Sequence, residues 1–71
     1  MTTRIEYCRV WNYQPRAARL AAILKEQLQL ETQLVAGGRG AFEVFAEDRL
    51  LFSKLNEGGF PDEQEMVGLL R

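Results

Sequence analysis

The sequence has one cysteine, Cys8, and no histidine. A single thiol excludes an intramolecular disulfide, and with it a disulfide-stapled secreted domain. One cysteine without histidine also excludes a zinc site or a Cys/His nucleophilic pair assembled within one chain. No apolar run approaches the roughly 20 residues of a membrane span, so no membrane partner is expected. The first residues, Met1 to Arg4, lead straight into Ile5-Glu6-Tyr7 without the apolar stretch of a signal peptide. The expectation is a cytoplasmic protein.

What is present is enough for one domain. The 71 residues allow a single core, and a chain this short buries only about 60% of its unfolded surface, so its stability is expected to be marginal. Apolar residues make up 46% and charged residues 27%, the balance of an ordinary globular protein. The net charge of −1 hides an asymmetry. Residues 1–40 carry Arg4, Arg9, Arg16, Arg19, Lys25 and Arg39 against three acids, whereas residues 41–71 carry three bases against seven acids. The basic residues belong to the half that holds Cys8. They form no stripe, and nucleic-acid binding is not expected.

Thr3 to Cys8 alternates Ile5 and Tyr7 with Arg4 and Glu6, the period of a half-buried strand. Arg9 to Gln14 reads as a loop. Pro15 then fits the first turn of a helix, where its missing N–H costs nothing. That helix is predicted over Pro15 to Leu30, with an apolar stripe of Leu20, Ile23, Leu24 and Leu28 and with alanines that permit close packing. Thr32 to Ala36 is β-prone and ends at Gly37-Gly38. A strand, a helix and a strand in so short a span imply a right-handed unit with parallel strands.

Ala41 to Ala46 and Leu50 to Leu55 read as an antiparallel hairpin around the polar turn Glu47-Asp48-Arg49. Phe42 and Val44 fall on one face, Glu43 and Phe45 on the other. Asn56-Glu57-Gly58-Gly59 breaks the strand. Phe60-Pro61-Asp62 opens a second helix, with Asp62, Glu63 and Glu65 favourable to its dipole and Met66, Leu69 and Leu70 as its apolar face. The chain stops at Arg71 directly after two leucines, so this helix is expected to be truncated at its C-terminus. The fold class is α+β, ordered β-α-β-β-β-α, a four-stranded mixed sheet with two helices on one face.

The segments Ile5-Glu6-Tyr7-Cys8, Tyr13-Gln14-Pro15-Arg16-Ala17, Gly40-Ala41-Phe42-Glu43-Val44, Phe52-Ser53-Lys54-Leu55 and Gly59-Phe60-Pro61-Asp62 follow one another in an order that resembles the selenoprotein W-like (Rdx) family. The resemblance covers nearly the whole of residues 1–71 as one domain. It implies a thioredoxin-like fold and thiol redox activity. The family's motif is Cys-x-x-Cys or Cys-x-x-selenocysteine; here it reads Cys8-Arg9-Val10-Trp11. The attacking position carries over to Cys8. The second position does not, and Trp11 has only an N–H donor and an apolar ring.

A thiolate attacks; a thiol does not. A cysteine at a strand end facing a helix N-terminus is near free backbone N–H groups, and Arg9 and Arg16 would add positive charge if they pointed inward. In a two-cysteine site the second thiol resolves the mixed disulfide. Without it, Cys8 is left a monothiol cycle with glutathione or a protein thiol, or sensing through a sulfenic acid. The plainer alternative is a small buried apolar residue, since free cysteine is among the most buried types. Trp11 reads either as an exposed anchor for a protein partner, beside Tyr13, or as a cap on the core, the reading its usual burial favours. A third role is to shield Cys8. Gly37, Gly38 and Gly40 are turn glycines and lack the Lys-Ser/Thr end of a phosphate loop. No bound cofactor is expected beyond glutathione as a thiol partner.

Three functional expectations follow. The first is a monothiol redox protein acting through Cys8. The second is a non-catalytic interaction module using the loop Cys8 to Tyr13, with Val10 and Trp11 in it. The third, a dimer joined through Cys8, is disfavoured in a reducing cytosol.

Overall fold

A computed structural model describes residues 2–71. Strand β1 is Thr3–Tyr7, helix α1 is Gln14–Leu28, and strand β2 is Thr32–Ala36. Strands β3, Phe42–Ala46, and β4, Arg49–Ser53, follow. A single helical turn, α2, Lys54–Glu57, precedes helix α3, Glu63–Leu70. The four strands form one mixed sheet in the order β2-β1-β3-β4. β1 and β2 run parallel, with Ile5 opposite Leu34; β1–β3 and β3–β4 are antiparallel. The expected β-α-β-β-β-α order and mixed sheet are therefore what the chain adopts.

The sheet's alternation builds the core. Ile5, Tyr7, Phe42, Val44 and Ala46 point to one face, where Ala17, Leu20 and Leu24 of α1 and Met66, Val67 and Leu70 of α3 cover them. The side chain of Thr3 is buried at the start of β1, and its hydroxyl is satisfied by the Glu31 carbonyl at 2.9 Å and the Thr32 hydroxyl at 2.7 Å. The opposite face carries charge: the Arg4 guanidinium lies 4.1 Å from the Phe45 ring centroid, and its Nε is 3.0 Å from Glu6 Oε2.

Several boundaries depart from the sequence reading. Helix α1 ends at Leu28 rather than Leu30, because Gln29 turns left-handed at φ 55° and its N–H closes onto the Lys25 carbonyl. The last strand ends at Ser53. Lys54 and Leu55 belong to α2 instead, and Leu55 is exposed. The hairpin turns at Glu47 and Asp48, so Arg49 is already strand, and a register shift beside Val44 leaves Leu51 without a partner. In α3 the buried face is Met66, Val67 and Leu70, whereas Leu69 is exposed. Asp62 is the N-cap rather than a helical residue; its Oδ1 accepts from the N–H groups of Gln64 and Glu65 at 2.9 and 3.1 Å.

Candidate functional site around Cys8

Parallel pairing of β1 with β2 and antiparallel pairing of β3 with β1 and β4 bring four strand termini to one end of the sheet. Tyr7, the last residue of β1, is opposite both Ala36 at the end of β2 and Phe42 at the start of β3. Cys8 is the next residue. Its N–H donates to the Ala41 carbonyl at 2.8 Å, and its own carbonyl accepts from the Tyr13 N–H at 3.2 Å. The backbone on both sides of the thiol is thus tied down. Between those ties the chain makes a turn, with the Asn12 N–H donating to the Arg9 carbonyl at 3.1 Å and Asn12 at φ 58°.

The thiol lies inside this turn, 1% exposed. Burial by itself raises the Cys8 thiol and is the largest single influence on it. Backbone hydrogen bonds from Gly40, Trp11 and Val10, together with the charge of Arg39, outweigh burial, so the thiol is lowered from its ordinary value. The donors come from the turn and from the loop before β3, not from the first turn of α1. Neither Arg9 nor Arg16 supplies the charge: Arg16 stacks its guanidinium over Phe60, 4.1 Å from the ring centroid, and the acting cation is Arg39.

Trp11 does not cap the core. Its ring is 54% exposed, and Val10 beside it is 77% exposed. The ring instead lies on Gly40, where a Cβ would fall 3.0 Å from Trp11 Cζ3. It also meets the edge of Tyr13, at a centroid distance of 6.2 Å, and Tyr13 in turn packs on Phe60 at 4.8 Å. Of the expected site residues, the structure brings the backbones of Val10 and Trp11 to the Cys8 thiol, ties Tyr13 to the Cys8 carbonyl and the Trp11 ring, and leaves Arg9 and Arg16 exposed. Sequence reasoning missed Gly40 and Arg39. The only local signal was a cluster of turn glycines, and nothing in it shows which one faces the thiol. Among the described residues, no cluster of acids and cysteine is arranged to hold a metal.

The fold that carries Cys8 has counterparts among known proteins. A model of the Rdx family matches residues 2–71. The chain belongs to the Rdx family. It is 39% identical over 70 residues to migration and invasion enhancer 1 of Bos taurus and 37% identical to that of Mus musculus. Each alignment covers 94% of the chain but 59% of the relative, so the chain spans well under two thirds of the length of these relatives. Among solved structures, a selenoprotein W-related protein from Vibrio cholerae superposes with a TM-score of 0.81 at 28% identity, over 92% of this chain and 85% of that one. A protein from Bordetella parapertussis gives the same TM-score at 30% identity, over 89% and 84%. Family and fold together link this Rdx domain to the selenoprotein W-related proteins, with a Cys8-x-x-Trp11 motif.

Proposed function

We propose that this Rdx domain is a monothiol redox protein acting through Cys8, in a reducing compartment such as the cytoplasm. What supports the reading is that Cys8 is held at the end of β1, its N–H on the Ala41 carbonyl at 2.8 Å, with its thiol, against the burial that raises it, lowered from the ordinary value by backbone hydrogen bonds from Gly40, Trp11 and Val10 and by the charge of Arg39. Donors and positive charge stabilise a thiolate, the form that attacks disulfides. In the cycle, the Cys8 thiolate attacks one sulfur of oxidised glutathione. The glutathione S–S bond breaks, a Cys8–glutathione disulfide forms, and the second glutathione leaves as thiolate. A further glutathione thiolate then attacks that mixed disulfide, releasing Cys8 and re-forming oxidised glutathione. With oxidised glutathione alone that exchange is degenerate; net turnover comes when a protein disulfide or a protein–glutathione disulfide takes its place in the first step, so that the protein's sulfur leaves as the thiolate and glutathione is the electron donor. Trp11 takes no part in the electron accounting.

A second reading has its own observation. With Cys8 1% exposed and Val10 and Trp11 projecting, the loop also suits a non-catalytic docking role. Intact mass after incubation with oxidised glutathione tests the first reading. One glutathione adduct, absent in Cys8→Ser, supports it. An unmodified chain under conditions that glutathionylate a small free thiol contradicts it and leaves the docking role.

A further inference from the structure

The end of the sheet that holds Cys8 also gathers cations. Arg9 follows β1, Arg39 precedes β3, Arg16 lies in the first turn of α1, and Lys54 directly follows β4. These positions meet because Tyr7 is opposite Phe42 and Glu43 is opposite Ser53. Among the described residues, none of the four is in an ion pair, whereas Arg4, Arg19 and Lys25 are paired with Glu6, Glu63 and Glu31. Acids at this end are already engaged: Asp62 caps α3, Glu63 holds Arg19, and Glu43 accepts from Ser53. Glu57, exposed in α2, and Glu65, exposed in the first turn of α3, are the exceptions. Cations free of ion pairs therefore flank a loop that carries two exposed apolar side chains, Val10 and Trp11. An aromatic anchor with a charged rim is the anatomy of a protein-docking surface.

We propose that this surface docks an acidic segment of a partner protein, with Val10 and Trp11 receiving an apolar side chain and Arg9 and Arg39 facing its carboxylates. The inference rests on the thiol reading above for its chemical outcome, and names the class of protein that brings sulfur to Cys8. Complementary charge fixes the partner's sign. The apolar anchors, and a whole chain of net charge −1, favour a protein segment over a nucleic acid or an anionic bilayer. When the segment carries a disulfide, exchange breaks that S–S bond and forms one to Cys8. The displaced sulfur leaves as a thiolate and takes a proton from solvent, so no external oxidant is consumed.

Trp11 is the one tryptophan of the chain, so its emission reports directly on the surface. The probes are two short synthetic peptides of equal length, each with a central leucine, flanked in one by aspartates and in the other by lysines. A serine stands in both where a cysteine will later be placed. The acidic peptide is expected to titrate Trp11 emission at low ionic strength, with the response lost in about 0.5 M salt through screening and in Arg9→Glu/Arg39→Glu. The lysine peptide is expected to give no response. Equal responses to both peptides overturn the proposal, as does an equal response to a single-stranded oligonucleotide or to anionic lipid vesicles. Wild-type salt dependence keeps the test valid if the double variant fails to fold.

Cysteine versions, activated as pyridyl disulfides, then separate the two claims. Exchange with the acidic peptide is expected to be roughly tenfold faster than with the basic one at low salt, each normalised to a small neutral disulfide. Exchange with the neutral disulfide but no charge preference ends the docking proposal and leaves the thiol reading. Emission titrating with the acidic serine peptide, with no exchange by any disulfide, does the reverse.

Discussion

The ring of Trp11 rests on Gly40 so closely that a Cβ there would lie 3.0 Å from Cζ3 and 3.6 Å from Cη2. Gly40 has φ 74°, a conformation that side chains of L-residues rarely adopt. The same glycine hydrogen-bonds the Cys8 sulfur through its backbone. One residue without a side chain thus both contacts the thiol and seats the ring that replaces the second redox residue. Gly40→Ala is expected to destabilise the domain by about 1–2 kcal/mol for the left-handed backbone alone. Urea unfolding measures the loss, and Trp11 emission should shift with it. An unchanged midpoint would mean that the loop relaxes freely around a methyl group.

Gly68 is the opposite case. It lies inside α3, with φ in the ordinary range and open space where a Cβ would project. Gly68→Ala should stabilise the domain by about 0.5–1 kcal/mol, since alanine loses less backbone entropy in a helix. For a chain of this size the gain would appear as a higher thermal midpoint, shifted by about 4–8 °C per kcal/mol.

Trp11→Cys recreates the two-cysteine motif. The Trp11 backbone already hydrogen-bonds the Cys8 sulfur, so the replaced side chain begins next to it. Oxidation of this variant is expected to produce an intramolecular disulfide, seen as the loss of two hydrogens in intact mass and of both alkylatable thiols. A variant that forms only intermolecular dimers would show that the turn has diverged from disulfide geometry.

Much of this was legible in the residue order. The alternation Ile5-Glu6-Tyr7 and Phe42-Glu43-Val44 set the faces of two central strands, and the Leu20 to Leu24 spacing set the buried side of α1. Pattern failed where two structures satisfy it equally. The run Leu50 to Leu55 reads as one strand, but the apolar Leu55 is exposed in a helical turn. In α3, adjacent apolar residues let Val67 replace Leu69 on the buried side, a choice made by the position of α1 and not by α3 itself. The place of Cys8 directly after the first strand was readable, but the cation that acts on its thiol was not. Arg9 is adjacent in sequence, while Arg39 arrives through the pairing of β1 with β3.

The lowered Cys8 thiol links stability to pH. A group whose folded-state pKa is depressed contributes stability above its unfolded value, lost as pH falls through the folded value. Between those values the unfolded chain holds more protons, so stability rises with pH up to the ordinary thiol range near about 8.5. Denaturation of the wild type against Cys8→Ser across mildly acidic to mildly alkaline pH should show this rise in the wild type only. Equal slopes would place the thiol at its unfolded value.

The most direct test of Cys8 as a redox nucleophile is the pH dependence of its alkylation, read by intact mass in the wild type and in Trp11→Ala. The account predicts an inflection below the ordinary thiol value of about 8.5 in both proteins. Cys8 is 1% exposed and the Trp11 ring is seated on Gly40 beside it, so a higher plateau rate in Trp11→Ala would assign the ring a shielding role. An inflection at or above the ordinary value, or a thiol that stays unmodified in both proteins, would contradict the account.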